Sequence, residues 1–138
     1  MKRLRAAAAV LLLVLAICPA ADAAKRPAAE QKKIDWLIEK VGQSDAVFYR
    51  NGTAYDAAKA ASHLKFKLFM AGARVQTVKD FVEGVASSSS ETGQPYLIRP
   101  HGASAPMPMH EWLTARLAEY DRAQGKPVPT AKPAAKAP

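Results

Sequence analysis

Asn51-Gly52 stands between Val47-Phe48-Tyr49-Arg50 and Thr53-Ala54-Tyr55, two short runs rich in aromatic and β-forming residues. Both turn residues tolerate positive φ, which a two-residue hairpin needs at its centre, so this pair is the strongest short-range hairpin signal a chain can carry. Antiparallel strands are thereby fixed in a chain whose flanking segments repeat their apolar residues with the helical period.

Those flanking segments read clearly. Pro27 stands near a first helical position, Ile34, Leu37, Ile38 and Val41 recur at i, i+3, i+4, i+7, and Gly42 follows as a stop, which predicts a helix from about Ala28 to Val41. Asp56 is a candidate cap for a second helix ending at Gly72, with a stripe of Ala57, Ala60, Ala61, Leu64, Leu68 and Ala71 small enough for close packing. Phe66 and Met70 fall on the opposite side of that helix, so it is either sandwiched or exposes an apolar patch. Thr77 with Asp80 three residues later forms a capping-box pattern, and Val78, Phe81, Val82 and Val85 give a third helix its buried stripe.

Serines 87–90 come where that period stops, and serine competes for backbone hydrogen bonds at helix ends. Thr92-Gly93 turns the chain, and Pro95–Pro100 reads as a short strand with Tyr96 and Ile98 on one face and Leu97 and Arg99 on the other. Proline at both ends confines it to an edge or a short pairing, with the hairpin around Phe48 and Arg50 as its partner. After a proline-broken loop, a last helix begins near Pro108 with Leu113, Leu117 and Tyr120 in its stripe. The expected fold class is α+β: about four helices with a β-hairpin and one further short strand forming a small sheet in a single compact domain.

The ends differ from this middle. Lys2, Arg3 and Arg5 precede an apolar run from Ala6 to Cys18, and Ala21-Asp22-Ala23 offers small residues at a cut site, so residues 1–23 read as a secretory signal peptide. The apolar run is shorter than the roughly 20 residues a spanning helix needs, and no transmembrane anchor is expected after its removal. A lipoprotein site at Cys18 would want a small residue before it, where Ile17 stands. Cleavage removes Cys18, the sole cysteine, and with it any disulfide or thiol chemistry. Residues 125–138 are rich in lysine, proline and alanine and read as a disordered, extended tail, leaving 24–124 as the domain.

Charge narrows the partners. Of 20 basic and 12 acidic residues, the leader takes Lys2, Arg3, Arg5 and Asp22, leaving 17 and 11. The resulting +6, half of it from Lys126, Lys132 and Lys136 of the tail, favours anionic partners. For an exported protein these are an anionic envelope polymer or an acidic periplasmic protein; nucleic acid is not expected.

No reaction is legible. Ser87–Ser90, Glu91 and His101 are the residue types of a nucleophilic site, yet no Gly-x-Ser-x-Gly frames the serines. His63, His101 and His110 are too scattered for a metal site and fit structural, partly exposed roles. Among the acidic residues, Glu30, Asp35 and Glu39 are spaced as a solvated helix face and Glu91 sits in a turn, which does not favour a glycosidase pair. Neither a cofactor nor a metal is expected. A binding site is better supported: Arg50 and Arg99 each close a short strand, arginine's fork suits carboxylate or phosphate, and Lys65 and Lys67 add charge from the second helix. Candidate binding residues are Arg50, Asn51, His63, Ser88, Tyr96 and Arg99.

The order of these pieces, from QKKIDWLI through VFYRNGTAYDAAKAASHL, VQTVKDFV and SSSSETGQPYLIR to HEWL, resembles a family of small exported bacterial proteins catalogued as a domain of unknown function (fifty-three twenty-nine). The resemblance covers about Glu30 to Leu117 and is carried by Arg50-Asn51-Gly52, His63-Leu64 and the serine turn leading into Pro95-Tyr96 and Arg99. It implies a shared fold and surface and brings no activity or catalytic residue. A polar cap is expected before the last helix, where this chain has Pro-Met-Pro-Met.

Overall fold

The computed structural model describes residues 25–127. The predicted leader with Cys18, and residues 128–138 of the tail, lie outside the described residues. The fold is α+β, with four helices and a four-stranded antiparallel sheet among the described residues.

Helix α1 spans Ala28–Gln43 and buries Ile34, Leu37, Ile38 and Val41, the predicted stripe. Strands β1 (Val47–Arg50) and β2 (Thr53–Tyr55) pair about Asn51 and Gly52, whose φ values of 49° and 78° are both positive, as the hairpin turn requires. Helix α2 spans Ala57–Ala71; the Asp56 carboxylate accepts from the Lys59 N–H at 2.8 Å and so caps its first turn. Ala61, Leu64 and Leu68 face inward. A Cβ built on Gly42 would stand 3.3 Å from that of Ala61, so α1 and α2 meet across small residues.

A 3₁₀ turn over Gly72–Arg74 leads to α3, which is helical only over Val78–Asp80 before widening into a π turn at Phe81–Val85. Both halves of the Thr77/Asp80 capping box are formed. Val78, Phe81, Val82 and Val85 are all buried, as their spacing predicts, although the Ala86 N–H reaches back five residues to the Phe81 carbonyl instead of four. Glu30 of α1 accepts from the Val78 N–H at 2.7 Å and ties the two helices together.

The sheet order is β2-β1-β3-β4, with β3 at Leu97–Arg99 and β4 at Met107–Pro108. The fourth strand is one more than the sequence predicts. It lies in the stretch read as a proline-broken loop, and proline is tolerated there because the strand is two residues long and at the sheet edge. Phe48, Tyr55 and Ile98 share a face through direct pairing and look toward the core, while Val47, Tyr49, Leu97 and Arg99 share the other. Helix α4 (Met109–Ala123) starts from Pro108 with no side-chain cap. The Met109 N–H donates to the Tyr96 carbonyl at 2.9 Å instead, so a strand end supplies what a polar cap would have. Tyr120 of α4 meets the edge of Trp36 of α1, ring centroids 5.1 Å apart. Among the described residues no helix is long and apolar enough to cross a membrane.

Candidate functional site

Two tight turns position the site. The hairpin turn and the serine turn are stapled together by Asn51, which donates from Nδ2 to Ser89 Oγ at 3.3 Å and accepts at Oδ1 from the Thr92 hydroxyl at 2.6 Å. Ser89 is buried, and its backbone closes the turn through the Gln94 carbonyl and the Gly93 N–H. This fixes Glu91 beside the last residue of β1, where its carboxylate pairs with Arg50 Nη2 at 3.0 Å. Helix α2 brings His63 and Lys67 to the same place, four residues apart on one helical face.

The three meet at Tyr96, whose side chain is buried against them. Lys67 Nζ donates to the carbonyls of Val85 and Ser88, each at 2.7 Å, and to the Tyr96 hydroxyl at 3.2 Å, and it stands 4.8 Å from the centre of the Tyr96 ring. His63 Nε2 is 3.1 Å from the same hydroxyl. An ammonium only donates, so the Tyr96 oxygen accepts from Lys67 and its own hydrogen is available to His63 Nε2. Nε2 accepts that hydrogen only as a neutral imidazole; a protonated ring donates to the hydroxyl oxygen instead. Burial first, then the charges of Arg50 and Lys67, hold His63 below its ordinary value of 6.5, with Glu91 pulling the other way. Burial and then Arg50 lower Lys67, and burial raises Tyr96 against the opposing charge of Arg50.

Beside this cluster a cleft of about 210 Å³ opens between α2 and the sheet. Its walls are apolar, from Phe48, Tyr55, Ala60, Leu64, Leu97 and Met109, and its polar end is formed by Arg50, His63 and Tyr96, with Lys59 at the rim. Arg50 Nε is buried, and the guanidinium lies beside Tyr96. Lys59 is exposed, 3.8 Å from Asp56.

A family model described as a family of unknown function (DUF5329) matches residues 28–121. The chain belongs to that family. An uncharacterized protein of Salmonella typhimurium strain LT2, YfeK, is 40% identical over 97 residues, covering 70% of this chain and 77% of that protein. No solved structure matches the chain.

Within this DUF5329 domain the six sequence candidates do not all converge. Arg50, His63 and Tyr96 form the polar end of the cleft, Asn51 holds the turn that presents Glu91, and Ser88 contributes its backbone carbonyl to Lys67. Arg99 lies elsewhere: it pairs across from Val47, at the other end of β1 from Arg50 and on the opposite sheet face, 5.9 Å from the Tyr49 ring. Of the two lysines expected near the site only Lys67 reaches it; Lys65, two residues away and so on another side of α2, borders a groove between α1 and α2. His101 stands 3.9 Å from Asp45, before the start of β1, whereas Glu91 pairs with Arg50 at the other end of that strand. His110 is exposed. Among the described residues no group of three or more His, Cys, Asp or Glu side chains is arranged to hold a metal ion. Sequence reading missed the roles of Lys67, Glu91 and Ser89. The four-residue spacing of His63 and Lys67 carried a signal for the first.

Proposed function

We propose that this DUF5329 domain is an exported, non-enzymatic binding domain that takes an anionic partner of the cell envelope at the cleft between α2 and the sheet. The observation that carries this reading is Arg50: a guanidinium at the polar end of an apolar cleft, held by the exposed carboxylate of Glu91 at 3.0 Å. Arginine's fork suits an arriving carboxylate or phosphate, and an exposed carboxylate such as Glu91 is displaced into water at little cost. The basic balance of the chain and the leader-like start support export and an anionic partner. Binding of soluble peptidoglycan fragments, lipopolysaccharide and small organic anions to the purified protein, compared with Arg50→Gln, tests the reading. Loss of binding with the fold intact supports it; affinity for every such anion indifferent to Arg50 sinks it.

A second reading rests on a separate observation. Phe66, Phe69 and Met70 of α2 are 60%, 81% and 60% exposed, and the groove beside Phe66 and Met70 carries Arg74 together with Asp80 and Glu83. A rim of both signs around an apolar centre is complementary to itself under two-fold symmetry, which favours a second copy of the chain as the occupant. Sedimentation over a hundredfold concentration range tests it. A monomer throughout removes this reading.

A further inference from the structure

We infer that the ligand of the cleft is a small monocarboxylate with a compact apolar body, and that Glu91 holds its carboxylate's place on Arg50 while the cleft is free. The inference rests on the binding reading above and adds the ligand's charge, size and shape.

The charge follows from which cations are committed. Lys67 spends its donors on two backbone carbonyls and Tyr96, and burial together with the charges of Arg50 and Lys67 disfavours the charged imidazole of His63. Among the described residues this leaves Arg50 as the cation at the inner end of the cleft, with Lys59 outside at the rim. One inner cation matches one negative charge, and a dianion such as phosphate would bring a second charge into an apolar cleft without a partner. The Glu91 pair at 3.0 Å shows that a carboxylate fits the guanidinium here. Glu91 is itself 70% exposed, so withdrawing it into water costs little.

The body follows from the walls. Phe48, Leu64 and Met109 are buried core residues that also line the cleft, so its floor is the hydrophobic core itself. A volume of about 210 Å³ corresponds to about seven waters at the ~30 Å³ each takes in the liquid, which a short alkyl chain or a single ring fills. Larger ligand clefts start at roughly 300 Å³, so an extended polymer enters only by an end group of this kind.

Titration of the purified protein at low salt with hexanoate, 3-phenylpropanoate, acetate, hexan-1-ol and inorganic phosphate, followed by amide chemical shifts, tests the inference. Hexanoate or 3-phenylpropanoate is expected to bind about tenfold or more tightly than acetate or hexan-1-ol, because each of those lacks half of the complementarity. Arg50→Gln is expected to weaken that binding about tenfold or more, and Glu91→Gln to strengthen it by removing the internal competitor. Ala60→Leu, which fills the cleft from a partly exposed helix position, is expected to block the bulky acids while leaving the fold's amide spectrum intact. If acetate or phosphate binds as tightly as hexanoate in an Arg50-dependent way, the apolar-body inference falls and the anion-binding reading stands. If hexanoate binds but Glu91→Gln weakens it, the place-holding role falls. If none of the probes binds, the inference falls, and the fragments and lipopolysaccharide of the preceding test decide the broader reading separately.

Discussion

Lys67, Tyr96 and His63 form a short chain of hydrogen bonds whose direction is fixed at one end by an ammonium that cannot accept. At the other end burial and the charges of Arg50 and Lys67 favour a neutral His63, and this has a consequence for stability against pH. Because the folded imidazole titrates below its ordinary value of 6.5, the unfolded chain takes up the proton first as pH falls, so stability present above about 6.5 is lost as pH drops toward the folded value. Urea denaturation at pH 7.5 and 5.5 is expected to show this loss in the native sequence and a smaller one in His63→Gln, which keeps an acceptor but does not titrate. Equal losses in both proteins overturn the assignment. At Lys67 the expectation is a direct one: Lys67→Met strands the carbonyls of Val85 and Ser88 and is expected to cost about 1–3 kcal/mol in the same assay. An unchanged midpoint shows that water replaces the ammonium. This cluster was half legible in the sequence. Arg50, His63 and Tyr96 stood out by type and position, whereas nothing in Ser87–Ser90 distinguishes Ser89, the buried one, because an irregular turn has no period from which to read burial.

Elements were read best where a period is long and worst where it is short. The stripes of α1, α2 and α4 extend over three or four turns, and the Asn-Gly hairpin has a mechanism attached to both of its residues. Met107-Pro108 is too short for any alternation and contains a proline, so its pairing with Leu97 and Ile98 is decided by tertiary position alone. The π turn at Phe81–Val85 was hidden for another reason: a helical stripe of four residues fits α and π geometry equally well. The small-residue contact between α1 and α2 was legible as a stripe, and it gives a prediction at this scale. Since Gly42 leaves only 3.3 Å between a built Cβ and Ala61, Ala61→Leu is expected to overpack the crossing and cost about 1–3 kcal/mol, read from the thermal midpoint. At the outward side of the same helix, Phe69→Ser should move stability by no more than about 0.5 kcal/mol, because the ring contributes little to the core. Marked destabilisation by Phe69→Ser would mean that the apolar patch is covered in solution.

In the molecule as a whole, α1 lies at the centre of the packing: it touches α2, α3 and α4, and Ile34, Leu37 and Val41 have no exposed surface. The sheet buries one face through Phe48 and Ile98, and the Tyr96 backbone links the serine turn to the start of α4 through Ser87 and Met109. With each element bonded to a neighbour in this way, no part holds a core of its own, and a domain of about a hundred residues so connected unfolds as one unit. Trp36 on α1 and Trp112 on α4 report on tertiary structure from two sides, while far-UV circular dichroism reports on the helices together. The transitions from fluorescence and circular dichroism are expected to coincide in urea. Leu37→Ala, which empties a fully buried site on α1, is expected to shift both together by about 2–5 kcal/mol. That is a large share of the roughly 5–15 kcal/mol that holds a domain of this size. If fluorescence is lost before helicity, the helices retain structure without their packing. The cleft, which is built between α2 and the sheet, would then open before the domain unfolds.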